Sequence, residues 1–258
     1  MPATKENIKK IVNIAQNIEG WLSVHEGAFL YKLATNLPDR ANIVEIGSFK
    51  GKSTIFLGSG LQSKKRGRLY AIDPHRGSPE FPEEHKKIDT YQEFLGNVRT
   101  AGLAKIVIPI RKKSTEAAAI NCPIGLLFID GSHDYAAVKN DFLSLSKKIK
   151  KGGWIILHDA TVLDGPWRVA RQEILRSGNF RRVGMLGSMV FGQYWPRNNS
   201  LEKFFQILKN SAGYLFIISY VTMRKMPFPP ILRKKISNFY FKKKFSRKNF
   251  FSWSKKSS

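Results

Sequence analysis

Asn42-Ile-Val-Glu-Ile-Gly-Ser-Phe-Lys-Gly-Lys-Ser-Thr54 runs from a short apolar stretch straight into a glycine-rich turn. The apolar part is long enough for a strand and too short for a helix. Glycine lets a ligand approach the backbone closely, and the N-terminus of a following helix offers unpaired N–H groups. A strand, a glycine loop and a helix in that order are the start of a βαβ unit.

The pattern recurs. Arg68-Leu-Tyr-Ala-Ile-Asp73, Ile106-Val-Ile-Pro-Ile110, Leu126-Leu-Phe-Ile-Asp130 and Trp154-Ile-Ile-Leu-His158 are further strand-length apolar runs. Helical periodicity lies between them. Val138, Phe142, Leu145 and Ile149 share one helical face, and the lysines around them followed by Gly152 predict a helix with a glycine C-cap. Ile8, Ile11, Val12, Ala15 and Ile18 predict an opening helix, and Trp21–Asn36 a second. Trp167–Arg176 predicts a later helix, and Phe180–Met185 with Ser188–Tyr194 an antiparallel hairpin at the sheet edge. Apolar strands alternating with helices imply a mostly parallel sheet covered on both faces. The expected architecture is α/β, doubly wound and Rossmann-like, with an antiparallel edge hairpin. Residues 1–40 form an N-terminal helical segment, 41–199 the domain and 200–258 a basic aromatic tail.

The chain of 258 residues carries 44 Lys+Arg against 19 Asp+Glu, a net charge of +25. Its hydrophobic fraction of 42% excludes disorder throughout. Residues 200–258 hold 14 of the basic residues and one acid, Glu202, so the excess is concentrated in the tail. Cys122 is the only cysteine, which excludes an intrachain disulfide and a cysteine-based zinc site. Met1–Gly20 lacks the continuous apolar core of a signal peptide. Ala212–Met223 is shorter than the roughly 20 residues needed to span a bilayer. The expected location is cytoplasmic, with the tail at the inner face of the membrane. Phe239–Trp253 interleaves aromatics with bases, as an anchor on an anionic membrane surface would. A nucleic-acid arm is the competing reading of that run.

Three ligand classes compete for the first loop. A dinucleotide fold wants G-x-G-x-x-G, which is missing. A P-loop wants four residues between its first glycine and Gly-Lys-Ser; Ser48, Phe49 and Lys50 make the loop one short. An acid-x-Gly-x-x-x-Gly pattern, as in S-adenosyl-L-methionine (SAM) sites, fits Glu45, Gly47 and Gly51. Asp73 ends the second strand, where a carboxylate can accept both hydroxyls of an adenosine ribose. A P-loop has no use for it, and SAM does.

Residues 41–195 resemble a class I SAM-dependent methyltransferase. Within that group they are most similar to the family of cephalosporin-hydroxylase-like proteins and metal-dependent sugar O-methyltransferases. The resemblance rests on Val44–Thr54, Leu69-Tyr-Ala-Ile-Asp-Pro-His75, Phe128-Ile-Asp-Gly-Ser-His-Asp-Tyr135 and Lys151-Gly-Gly-Trp-Ile-Ile-Leu-His-Asp159. It implies that Glu45, Gly47, Ser48 and Gly51 line SAM, that Asp73 holds its ribose, and that Ser114 sits near adenine.

Asp130, His133, His158 and Asp159 form the expected chemical centre. Asp130 and Asp159 end two strands that the fold sets side by side, and hard oxygen ligands suit Mg²⁺. Asp130, His158 and Asp159 are the expected ligands. A metal there would lower the pKa of an acceptor hydroxyl, and His133 would take its proton. In the resembling sugar enzymes a Glu-Asp pair follows the second of these strands, where this chain has His158-Asp159. A metal-free turn in which Asp130 receives the SAM amino group is the alternative. The expected reaction is O-methylation of a sugar, glycan-like or small-molecule hydroxyl. A P-loop-like nucleotide hydrolase and an RNA methyltransferase recruited by the basic tail are the alternatives. Gly77–Thr90 reads as a loop over the site, with Trp167 and Arg168 as candidates to line it.

Overall fold

Asn42–Ile46 forms β1, buried along all but its first residue. It pairs in parallel with β2 (Leu69–Ile72) on one side and β4 (Ile124–Ile129) on the other. β4 is buried at every position, as a parallel strand covered on both faces must be. β3 (Val107–Ile110) lies outside β2, and β5 (Ile149–Leu157) outside β4. β7 (Met189–Tyr194) runs antiparallel to β5, and β6 (Phe180–Leu186) antiparallel to β7. The seven strands are ordered β3-β2-β1-β4-β5-β7-β6. This is the expected mostly parallel sheet with an antiparallel edge hairpin. Strand order reverses between β1 and β4, which places a ligand crevice at their carboxyl ends. The computed structural model describes residues 5–62, 67–77, 88–117, 120 and 122–225.

Each outer strand carries a feature that limits further pairing. Pro109 sits in β3 opposite Ala71, on an edge where its missing N–H needs no partner. β6 is bulged between Arg181 and Gly184, with Arg182 at φ 51°.

The helices are α1 (Lys5–Ala15), α2 (Val24–Thr35), α3 (Lys52–Gln62), α4 (Tyr91–Thr100), α5 (Ser114–Ala117), α6 (Tyr135–Ser146), α7 (Asp164–Val169) and α8 (Ser200–Lys225). α2 opens with a capping box. Glu26 N–H donates to Ser23 Oγ, and Ser23 N–H donates to Glu26 Oε2 at 2.9 Å. The helix expected from Trp167 starts earlier, as α7, and passes into a π-helical turn over Ala170–Leu175.

One sequence expectation is overturned. Ile149 and Gly152 belong to β5, not to the helix before it, which ends at Ser146. Ile149 pairs with Ile124 while Trp154 pairs with Leu126, so Lys150–Gly153 bulge out of the ladder. Gly152 takes φ 88° within that bulge rather than in a helix cap. Ile149 keeps helical spacing from Leu145 by coincidence, since its buried side chain belongs to the sheet.

Two compact units divide the chain, Met1–Asn210 and Ser211–Ser258. The first holds the sheet together with α1, α2 and the first turns of α8. In the second, Ser211–Lys225 continue α8. The aromatic-basic run Phe239–Trp253 and positions 78–87 of the expected loop lie outside the described residues. Among the described residues, no helix is long and apolar enough to cross a membrane.

Candidate active site

β1 delivers the chain to Gly47 at φ 82°, and a Cβ there would run into the Asp130 carbonyl. Only glycine allows the loop to lie this close to the end of β4. Ser48 and Phe49 N–H groups donate to Asp73 Oδ2 at 2.9 and 2.7 Å, and His75 N–H donates to Oδ1 at 2.6 Å. One carboxylate thus ties the end of β2 to the loop after β1. A carboxylate offers about four acceptor sites, so Asp73 has room for about one more donor.

Glu45 and Gly51 require a correction, because neither lines the cleft. Glu45 is fully buried beneath the loop. Its Oε1 accepts from Ser53 Oγ at 2.5 Å and its Oε2 from Thr54 Oγ1 at 2.6 Å. Burial pushes its carboxyl up to about 8, against the opposing pull of those hydroxyls. It pegs the first turn of α3 to β1. Gly51, at φ 93°, donates its N–H to Ser48 O at 2.7 Å and turns the chain into α3. The nucleotide-hydrolase alternative loses its parts here as well. Lys52 Nζ donates to Gly20 O at 3.0 Å, and the Ser53 hydroxyl is given to Glu45.

A cleft of about 910 Å³ opens at the carboxyl ends of the strands, a size suited to a small-molecule ligand. Gly47, Ser48, Asp73 and Ser114 line one part of it, and Asp130, His133, His158 and Asp159 another. Trp167 and Arg168 are not among the lining residues; the Arg168 guanidinium lies 3.9 Å from the Tyr135 ring centroid. Three further contributors line the cleft. Glu19–Leu22 form a wall, fastened by Lys50, whose Nζ lies 2.8 Å from Glu19 and 3.0 Å from Glu93. His75 lines the cleft with its Nδ1 3.0 Å from Thr90 Oγ1. Asp141 faces it from α6, its carboxyl raised by burial and partly restored by a hydrogen bond with Ser114. Among the described residues, Ser48 Oγ and His75 Nε2 are buried on this wall without a hydrogen-bond partner. Orphaned polar atoms beside Asp73 fit a polar nucleoside ligand such as SAM.

The chemical centre forms where β4 and β5 end. His133 directly precedes Asp134, which caps α6 by accepting from Ala137 N–H at 3.0 Å. Gly165 lies so close that a Cβ there would strike the His133 carbonyl. Asp159 occupies the left-handed region at φ 51°, a strained conformation typical of functional sites. His133 Nε2 lies 3.5 Å from Asp159 Oδ2. Asp130, His133 and Asp159 each offer an atom within 4.8 Å of the others, a set able to hold a divalent ion. In the expected metal set, His133 replaces His158.

His158 sits behind this trio, 3% exposed. Its Nδ1 lies 3.0 Å from Asp130 Oδ1 and 3.2 Å from Asp159 Oδ2. Its Nε2 lies 3.1 Å from Ser188 Oγ, which donates to Glu26 Oε1 at 3.0 Å. Burial alone would discharge the ring, but the attraction of Asp130, with Asp159 and Glu26, raises its pKa well above the ordinary histidine value. Burial opposes ionisation of Glu26 too, yet His158 and Ser23 hold its carboxyl at about 2. Asp159 is likewise kept low by His133 and His158 in spite of burial, whereas burial raises Asp130. Glu26 carries a readable Ser-x-x-Glu capping signature, but nothing in it announces the link to His158.

The family model described as a methyltransferase domain matches residues 44–160. An uncharacterized protein of Acanthamoeba polyphaga mimivirus is 31% identical over 124 residues, covering 47% of this chain and 52% of that protein. The chain thus matches about half the length of that curated relative. The O-methyltransferase TomG of Streptomyces achromogenes, solved in complex with SAM, superposes with a TM-score of 0.51 at 16% identity, over 74% of this chain and 91% of that one. An O-methyltransferase of Bacillus cereus, solved with S-adenosylhomocysteine (SAH), does so with a TM-score of 0.51 at 20% identity over the same shares. These structures share the fold, and the cleft described above lies at the strand ends of that fold. Residues 44–160 therefore match the model of a methyltransferase domain, and the chain shares its fold with these solved structures.

Proposed function

We propose that the chain transfers the methyl group of SAM to a hydroxyl of a small-molecule, sugar or glycan-like acceptor. The observation that carries this reading is the adjacency, in one cleft, of the Gly47–Asp73 cradle and the His133–Asp159 pair. In the reaction, His133 takes the proton of the acceptor hydroxyl. The oxygen forms a bond to the methyl carbon as the carbon–sulfur bond breaks, and the sulfur keeps the electron pair, leaving SAH. Asp159 holds the imidazole and stabilises the charge it acquires. His158 offsets the negative charge of Asp130 and Asp159 from behind. The cleft walls bring the reactants into contact, a large share of the acceleration in such transfers.

A second reading is favoured by the clustering of Asp130, His133 and Asp159 within 4.8 Å. A divalent cation held there would act as a Lewis acid on the acceptor hydroxyl, and His133 would then be a ligand rather than the base.

Thermal melting with SAM, SAH, ATP and NAD, each with and without Mg²⁺, tests the cofactor, since a ligand of the folded state raises Tm by mass action. A rise with ATP and none with SAM or SAH would overturn the proposal. Methyl transfer from labelled SAM to a panel of hydroxylated acceptors in EDTA separates the two readings. Activity that survives chelation supports the His133–Asp159 pair; activity lost and restored by Mg²⁺ supports the cation.

A further inference from the structure

Over its first turns α8 docks by its polar face. Gln206 and Asn210 are buried, at 6% and 8% exposure. Asn210 Nδ2 donates to Phe180 O at 2.7 Å, Gln206 Nε2 to Asn210 Oδ1 at 3.1 Å, and Arg197 Nη2 to Gln206 Oε1 at 3.0 Å. These bonds fix the rotation of the helix against β6. The opposite face carries Leu201, Phe204 and Phe205, exposed by 65%, 55% and 51%, with Leu208 at 50% one turn on. Spacings of three and four residues put all four on one stripe. Hydrophobic burial would favour the reverse rotation. Single exposed apolar residues need no explanation, but a contiguous stripe marks a contact surface.

We propose that this stripe is a membrane-surface contact, with the first turns of α8 lying in the interface of an anionic bilayer. Charge selects this occupant. α8 itself holds Lys203, Lys209, Arg224 and Lys225 against a single acid, Glu202. Two copies meeting stripe to stripe would bring like charges together, whereas anionic headgroups attract them. Among the described residues no helix is long and apolar enough to cross a membrane, and the contact proposed is a surface one. The inference does not depend on the methyl-transfer reading, and it puts the anchor in a folded helix ahead of the aromatic-basic tail.

The test is flotation of the full chain with vesicles of phosphatidylcholine, with and without a minority of phosphatidylglycerol. The wild type floats with the anionic vesicles only. The Phe204→Ser/Phe205→Ser double variant loses at least about tenfold in partition coefficient, with an unchanged Tm. A double variant that floats like the wild type would overturn the proposal, as would a wild type that does not float. A lipid-free dimer that the double variant converts to monomer would assign the stripe to a second copy instead. A dye on Leu201→Cys, in a Cys122→Ser background, gives an independent reading. Its emission shifts to the blue with anionic vesicles, and an unmoved emission contradicts the contact.

Discussion

Glu26 Oε1 accepts the backbone N–H of Ser188 at 2.7 Å, joining α2 to the turn between β6 and β7 across 162 positions of sequence. The same oxygen accepts from Ser188 Oγ, which in turn meets His158. A carboxylate far from the glycine loop therefore holds the histidine beneath Asp130 and Asp159. Removing one partner of a buried charged pair leaves the other uncompensated, at a cost of about 3–5 kcal/mol. Glu26→Ala should lose about 3 kcal/mol in urea unfolding, and Glu26→Gln less, because the amide oxygen still accepts from Ser188.

Asp73→Ala should abolish the Tm rise produced by SAH. Three backbone N–H groups lose their acceptor in this variant, and the loop that presents Ser48 is released. The check is calorimetric titration of SAH, with Ser114→Ala alongside. Full SAH affinity in Asp73→Ala would remove Asp73 from the cofactor site.

His133→Ala should bind SAH like the wild type and turn over about a hundredfold more slowly or worse, the usual share of a general base. Single-turnover transfer from labelled SAM separates the chemical step from binding. Unchanged transfer would deny His133 the proton.

Glu45 gives stability a pH dependence of known sign. Its folded pKa of about 8 lies above the ordinary carboxyl value. Between those two pH values the folded chain keeps a proton that the unfolded chain has released. The contribution is complete below the ordinary value and disappears as pH rises through about 8. Its full size is on the order of 5 kcal/mol. Denaturant unfolding at pH 5 and pH 8 should show a fall in the wild type that Glu45→Gln flattens.

Gly47→Ala should fail to fold or lose about 3 kcal/mol or more, since it combines a left-handed φ with a collision against the Asp130 carbonyl. Circular dichroism and thermal melting decide this.

The centre of the sheet was legible because β1 and β4 are buried on both faces and read as unbroken apolar runs. β5 misled at its start: Lys150–Gly153 bulge out of the ladder, and a bulge following a helix imitates the basic last turn and glycine cap of that helix. The polar residues after each strand identified the cleft, since the fold gathers strand ends. Their roles were less legible. Whether Glu45 faces a ligand or α3, and whether His133 or His158 joins Asp130 and Asp159, depends on side-chain direction at a strand end, which spacing does not encode. The Glu26–Ser188 bond was beyond reach for another reason. It joins segments that only the closed sheet brings together.

The two strands at the borders of the sheet bear on self-association. A border strand with free N–H and C=O groups is a template for another chain. Here Pro109 withholds a donor from one border. At the other, the bulge at Arg182 breaks the spacing an incoming strand would need, and Asn210 already occupies the carbonyl of Phe180. A protein that exposes an apolar helix face can in this way remain resistant to strand-by-strand aggregation, because neither border of its sheet accepts another strand.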